Sequence, residues 1–180
     1  MDVDPLTAAK LGFPKLRYVF VKHERRWLCT SLPNELVTET EQITDLYVTD
    51  TNLRLRQAVP CAGGSSMLRL SRKVDVDPST RLISSIYLQT SEFELLRAAL
   101  IGCTICKCRY RIKSSTEVVL VIDEFGGDLS GLLLLEAEFS SLKAMREFEA
   151  PEYAGMEVTS DQRFTGGCLA TRGPPCITAK

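Results

Sequence analysis

The residues able to do chemistry in this chain come in short runs at alternate positions. Lys107, Arg109 and Arg111 set three cations two residues apart; Arg54 and Arg56 add a pair; Arg69, Ser71 and Lys73 repeat the spacing around a hydroxyl. Glu136 and Glu138 form an acidic counterpart, and Lys22, Glu24 and Arg26 mix both signs in one run. In an extended strand residues i and i+2 project to the same face, so each run marks one charged face. Cations gathered this way can hold a polyanion, and paired carboxylates can hold a divalent metal. At an effective dielectric of about 20, a phosphate charge about 4 Å from one cation gains about 4 kcal/mol before desolvation.

Other chemistries are poorly supplied. His23 is the single histidine, so a Ser-His-Asp or Cys-His mechanism would have to use that one residue, and a His-rich metal site is excluded. Cys103, Cys106 and Cys108 invite a zinc reading, but Cys29, Cys61, Cys168 and Cys176 give no second ligand pair at suitable spacing. Buried outer-face thiols are expected instead. Gly63-Gly64 and Gly126-Gly127 lack the Lys-Ser/Thr that follows a phosphate-binding loop, and read as turns.

These runs must be positioned by strands. Apolar and β-branched residues alternate between turn signals over 16–29, 42–49, 53–58, 66–74, 81–89, 104–112, 117–124, 131–139 and 156–158, which predicts a sandwich or barrel. Two helices are expected. Ser91 to Leu100 opens on the capping-box pattern Ser91-Glu-Phe-Glu94, and Ser141 to Phe148 ends before Pro151. Behind the acidic pair lie Leu133, Leu135, Ala137 and Phe139; behind the triple cation lie Cys106, Cys108, Tyr110 and Ile112. Two architectures accommodate such strands. An antiparallel sheet would turn its charges to water, whereas an eight-stranded barrel would turn them inward and cover its apolar exterior with helices. His23 and Trp27 fall on the outer wall in the second case, with Trp27 packing under a helix.

The chain has 180 residues, 44% of them hydrophobic and 25% charged, as in an ordinary globular domain. A net charge of -1 supplies no overall basic field for nucleic acid or an anionic membrane. The longest apolar stretches fall far short of the roughly 18 to 20 residues of a spanning helix, and acids stand where a secretory signal would carry Lys or Arg. A cytoplasmic protein with reduced thiols is expected, as one domain over 1–170 with a disordered tail over 171–180.

The ordered set of motifs resembles the CYTH superfamily, the triphosphate tunnel metalloenzymes. Lys22-His-Glu-Arg-Arg26 corresponds to the family's Glu-x-Glu-x-Lys strand, and Tyr47-Val-Thr-Asp-Thr-Asn-Leu-Arg-Leu-Arg56 looks like its Tyr-x-Asp-Thr segment leading into Arg-x-Arg. Arg69-Leu-Ser-Arg-Lys73, Cys106-Lys-Cys-Arg-Tyr110, Asp123-Glu-Phe-Gly-Gly127 with Glu136-Ala-Glu138, and Glu157-Val-Thr-Ser-Asp-Gln-Arg-Phe164 follow in the family's order. The resemblance covers roughly Tyr18 to Ala170. It implies an all-β dominated (α+β) fold: a closed eight-stranded antiparallel β-barrel tunnel with a charged lumen and flanking helices.

It also implies metal-dependent hydrolysis of a small triphosphate, foremost inorganic tripolyphosphate, with Mg2+ or Mn2+ as cofactor and a homodimer as a possible assembly. The alternatives are a non-catalytic polyphosphate- or nucleotide-binding module, or a class IV-type adenylyl cyclase. By matching position Arg54, Arg56, Arg69, Ser71, Lys73, Lys107, Arg109 and Arg111 would bind substrate. Arg26 and Lys107 would serve catalysis, and Glu24, Asp123, Glu136 and Glu138 would hold metal. In the family's hydrolytic members one metal binds the phosphates and a second activates water. Lys22 replaces the family's first Glu, a change expected to weaken metal binding and hydrolysis more than phosphate binding.

Overall fold

The computed structural model describes residues 3–115 and 117–175. The alternating segments form nine strands: β1 (Phe20–Cys29), β2 (Val37–Val48), β3 (Leu53–Pro60), β4 (Met67–Asp77), β5 (Thr80–Tyr87), β6 (Gly102–Ile112), β7 (Val118–Phe125), β8 (Leu133–Phe139) and β9 (Ala154–Glu157). Helices α1 (Pro5–Lys10), α2 (Thr90–Ala99), α3 (Leu142–Glu147) and α4 (Gly166–Arg172) flank them.

Neighbouring strands run in the order β5-β4-β3-β2-β6-β7-β8-β1, every pair antiparallel. The sheet closes where Phe20 to His23 of β1 pair with Ile83 to Thr80 of β5. Eight strands therefore form a barrel. Further along the same edge β1 pairs with β9, through Trp27 to Glu157 and Cys29 to Ala154.

The barrel is apolar outside and charged inside. Trp27, Leu120, Ile122, Leu135, Ala137 and Phe139 pack on the outer face beneath Ala144 and Met145 of α3 and the following Phe148. Trp27 lies 5.8 Å from the Phe148 ring centroid, under a helix as its parity required. Leu55 and Leu68 pack against Phe93 of α2, and Leu82 against Ala8 and Phe13 of the N-terminal segment. Each such apolar side chain, fully buried, contributes roughly 1.5–3 kcal/mol. Closing the barrel buries the charged faces, so the sheet with its charges in water is not the structure formed.

Several local expectations change. Leu16 to Tyr18, read as the start of the first strand, make a 3-10 turn. The α2 cap is Gln89 with Glu92, whose carboxylate accepts from the Gln89 amide at 2.7 Å; Glu94 pairs with Arg97 instead. Helices α1 and α4 are too short for a periodic signal, although Asp4 caps α1 and Pro5 starts it. Thr171 and Arg172 end α4 rather than begin a disordered tail, and 176–180, Cys176 included, lie outside the described residues. Cys106 is exposed and Cys103 and Cys108 are partly so, not buried under helices. Among the described residues no helix is long and apolar enough to cross a membrane.

Candidate active site

The inward strand faces enclose a cavity of about 400 Å³. On one wall β3, β4 and β6 bring Arg54, Arg56, Arg69, Lys73, Lys107 and Arg109 together. Two buried carboxylates hold this wall in place. Asp45 on β2 accepts from Arg56 Nε at 2.7 Å and Nη2 at 2.5 Å, and Arg54 Nε lies 3.4 Å away. Asp123 on β7 accepts from Arg109 Nε and Nη2, both at 2.7 Å, and from the Lys107 ammonium.

Six cations thus face two anions, an excess that a bound polyanion would neutralise. Arg54 Nη2 is buried without a hydrogen-bond partner, as is Arg69 Nε. Electrostatics reports the same excess. Burial, then Arg54, Lys22 and Arg56, push the Lys73 ammonium well below the ordinary lysine value. Lys107 is lowered by burial and by Arg109 and Arg56, against the pull of Asp123. Arg69 is lowered by burial and by Arg54 and Arg56.

The opposite wall is acidic. Glu24 and Glu138 are directly paired across β1 and β8, and Glu136 faces Arg26 one step along. Glu136 and Glu138 line the cavity. The Lys22 ammonium sits between Glu24 Oε2 at 2.7 Å and Glu138 Oε1 at 2.6 Å. Arg81 adds a contact from Nη1 to Glu24 Oε1 at 2.8 Å and another from Nε to Asp75 at 2.5 Å. Although burial opposes ionisation of Glu24, Lys22 and Arg81 hold its pKa at about 2. Burial opposes the Lys22 charge, yet Glu24, Glu138 and Glu136 outweigh it and raise its pKa.

The cavity has an apolar floor and an aromatic mouth. Phe164, Gly166 and Leu169 of the C-terminal segment line it beside Ile105, Phe125 and Leu134, and these side chains belong to one buried apolar cluster with Val158. Gly166 is required there, since a Cβ would overlap the Tyr47 hydroxyl. Phe20, Tyr18 and Tyr87 also line the cavity while remaining exposed.

Of the residues singled out in the sequence, Arg54, Arg56, Arg69, Lys73, Lys107, Arg109, Glu136 and Glu138 line one cavity. Ser71 is buried and does not line the cavity; its hydroxyl lies 2.8 Å from that of Ser85, which does. Arg111 does not join them; β6 runs past the rim and its guanidinium pairs with exposed Glu39. Arg26 is 1% exposed and donates to the carbonyls of Phe164 and Thr159 at 3.1 Å, beneath the segment that floors the cavity. Asp45 and Arg81 were missed. Arg81 is a lone charge on a face shared with Ile83 and Ser85, whereas Asp45 shares a face with Glu39 and Glu41, which precede the strand expected over 42–49 but lie within β2.

The fit of a divalent cation depends on which carboxylates remain open. Asp123 is fully buried and engaged by two cations. Glu24 is held by Lys22 and Arg81. Glu136 meets Arg109 at 3.2 Å through one oxygen, and Glu138 meets Lys22 through one oxygen. Two carboxylates facing the cavity fit one Mg2+ or Mn2+ completed by phosphate oxygens and water, the habit of such ions. The four-carboxylate set does not assemble around one open point.

No protein-family model matches the chain. It is 37% identical over 89 residues to the inorganic triphosphatase of Nitrosomonas europaea, an alignment covering 49% of this chain and 59% of that relative. The crystal structure of the inorganic triphosphatase NE1496 superposes with a TM-score of 0.56 at 28% identity, covering 83% of this chain and 93% of the other. The chain spans about three fifths of that curated relative's length and shares the fold of NE1496 over most of both chains. Structural likeness within this fold extends to the Pyrococcus horikoshii protein PH1819, with a TM-score of 0.51, 20% identity and coverage of 70% and 82%. Within the barrel of this chain, the two walls of unlike charge come from the same strands that carry the motifs: β3, β4 and β6 for the cations, β1 and β8 for the acids.

Proposed function

We propose that this chain hydrolyses a small triphosphate, foremost inorganic tripolyphosphate, inside its tunnel. The observation that carries the reading is the wall of six cations in one floored cavity, with Arg54 Nη2 buried and without a hydrogen-bond partner. A linear polyanion fills such a wall better than a single phosphate, because the cations come from three strand faces, β4 and β3 on one side of β2 and β6 on the other. The N. europaea relative named an inorganic triphosphatase agrees with this substrate class.

Hydrolysis joins a water oxygen to the terminal phosphorus as the bridging P–O bond breaks, giving phosphate and diphosphate. Phosphoryl transfer of this kind needs positioning and charge neutralisation more than covalent chemistry. Arg54, Arg56 and Arg69 hold and straighten the chain of phosphates. Lys107, lowered by burial, is suited to donate its proton to the leaving diphosphate oxygen, while Asp123 orients its ammonium. Arg26 touches Glu24 and the floor carbonyls, not the cavity, and acts as a positioning residue. Glu136 and Glu138 would hold Mg2+ or Mn2+, which would supply further charge neutralisation to the phosphoryl oxygens. Glu136 is held well below the usual carboxylate range by Lys22, Arg109 and Lys107 against its burial, so it remains an anionic ligand and a poor proton acceptor.

The test is phosphate release from tripolyphosphate, ATP and thiamine triphosphate, each with Mg2+, Mn2+ or EDTA. Metal-dependent release that is fastest on tripolyphosphate is expected. Thermal stabilisation by tripolyphosphate without release would make the chain a binding module, and formation of diphosphate plus a cyclic nucleotide from ATP would make it a cyclase.

A further inference from the structure

Glu24 and Glu138 stand directly opposite each other on β1 and β8. Like charges so placed destabilise a sheet unless a cation lies between them. Here that cation belongs to the chain itself. The Lys22 ammonium reaches Glu24 Oε2 at 2.7 Å and Glu138 Oε1 at 2.6 Å, and its side chain is 8% exposed. A compact ammonium with three donors is a point charge comparable in reach to a hydrated metal, but it cannot dissociate or be chelated.

We propose that Lys22 is a built-in cation occupying a divalent-cation position between Glu24 and Glu138, so that the acidic wall accepts metal only at Glu136 and the outer oxygen of Glu138. Three features argue that the position is made for a cation rather than filled by chance. Glu24 is 1% exposed and cannot turn to water. Arg81 already takes its other oxygen at 2.8 Å, which leaves the Lys22 side of the carboxylate as the remaining open one. Lys22 also borders the cavity, so an ion entering with substrate would reach the same point if the ammonium were gone. Removing the ammonium leaves a carboxylate pair facing one gap, and Lys22→Glu adds a third oxygen ligand there, a set suited to Mg2+ or Mn2+.

This deepens the triphosphatase reading and rests on it only for the divalent cation at Glu136 and Glu138. The experiment counts Mn2+ without requiring turnover. Free Mn2+ is titrated by its electron paramagnetic resonance signal against the wild-type chain, Lys22→Met and Lys22→Glu, with folding checked by circular dichroism. Both variants are expected to bind one more Mn2+ per chain than the wild type, Lys22→Glu more tightly. A variant that folds only when Mn2+ is added supports the same assignment, because the metal then replaces the ammonium. Equal counts in all three chains, or variants that stay unfolded with and without Mn2+, would overturn it. The two readings fail separately: an extra Mn2+ without phosphate release from the wild type removes the activity alone, and release with equal counts removes the built-in cation alone.

Discussion

Asp45 and Arg56 face each other across β2 and β3 and join by two parallel hydrogen bonds, Nε to Oδ1 at 2.7 Å and Nη2 to Oδ2 at 2.5 Å. Asp45 is fully buried, and the same carboxylate is the nearest anion to Arg54. Breaking such a pair leaves buried cations uncompensated, so Asp45→Asn is expected to lose about 3–5 kcal/mol of stability at neutral pH. Burial raises the Asp45 pKa, but Arg54 and Arg56 outweigh it and hold the carboxyl far below the usual value. The stability it supplies is thus present above about pH 3.8, the ordinary value, and lost as pH falls below it. Urea unfolding at pH 7 and pH 3 checks both points: the gap between variant and wild type should narrow at pH 3. Tripolyphosphate should stabilise wild type less than Asp45→Asn, whose wall carries one more uncompensated positive charge.

The inside-out character of the barrel was legible because strand parity is local. Leu135, Ala137 and Phe139 alternate with Glu136 and Glu138, and from Leu135 onward burial follows that alternation once the sheet closes. Closure itself rests on four residue pairs between β1 and β5, separated by some sixty positions, and no local pattern encodes it. Arg111 shows the limit of parity: it shares a face with Lys107 and Arg109, yet lies beyond the rim. Arg26 shows another, since the Thr159 and Phe164 carbonyls that cap it arrive from the far end of the chain. Arg81 carries no run of like charges, and the acids that share the face of Asp45, Glu39 and Glu41, precede the expected strand, so both became visible only when the faces met.

The acidic wall separates binding from turnover. Glu136→Gln and Glu138→Gln keep the shape of the wall and remove carboxylate charges beside Lys22 and Arg109. Each is expected to lower phosphate release by about 100-fold or more while leaving tripolyphosphate affinity equal or higher. Parallel measurement of release and of calorimetric affinity decides this; a matched loss of both would assign these residues to folding. EDTA should mimic the variants on wild type and add nothing to them.

Lys73 gives the tunnel a pH dependence. Its pKa is depressed by burial and then by Arg54, Lys22 and Arg56, so it deprotonates at a lower pH than an ordinary lysine near 10.5. A triphosphate favours the charged form, so binding takes up a proton, and affinity falls as pH rises through the lowered pKa. In the same window the free protein gains stability with rising pH, since the unfolded chain binds more protons than the folded one. Calorimetry in buffers of different ionisation enthalpy measures the uptake; Lys73→Arg should reduce it, leaving only the share of Lys107, whose pKa is also lowered.

The floor of the cavity depends on a close approach. Gly166 begins α4 against the Tyr47 ring, and a methyl group there would overlap the Tyr47 hydroxyl. Gly166→Ala is expected to cost roughly 1–3 kcal/mol through overpacking. Adding Tyr47→Phe should return part of the loss, a coupling that a double-mutant cycle of unfolding free energies reads directly. Additive effects would place the strain elsewhere.

The most direct measurement is phosphate release from tripolyphosphate with Mg2+ or Mn2+ by the wild-type chain beside Arg54→Ala and Glu136→Gln. Arg54 supplies a buried, unpartnered donor on the cationic wall and Glu136 a carboxylate on the acidic one. Release by the wild type that both substitutions abolish is expected. No release from the wild type, or release that survives both substitutions, would contradict hydrolysis in this tunnel.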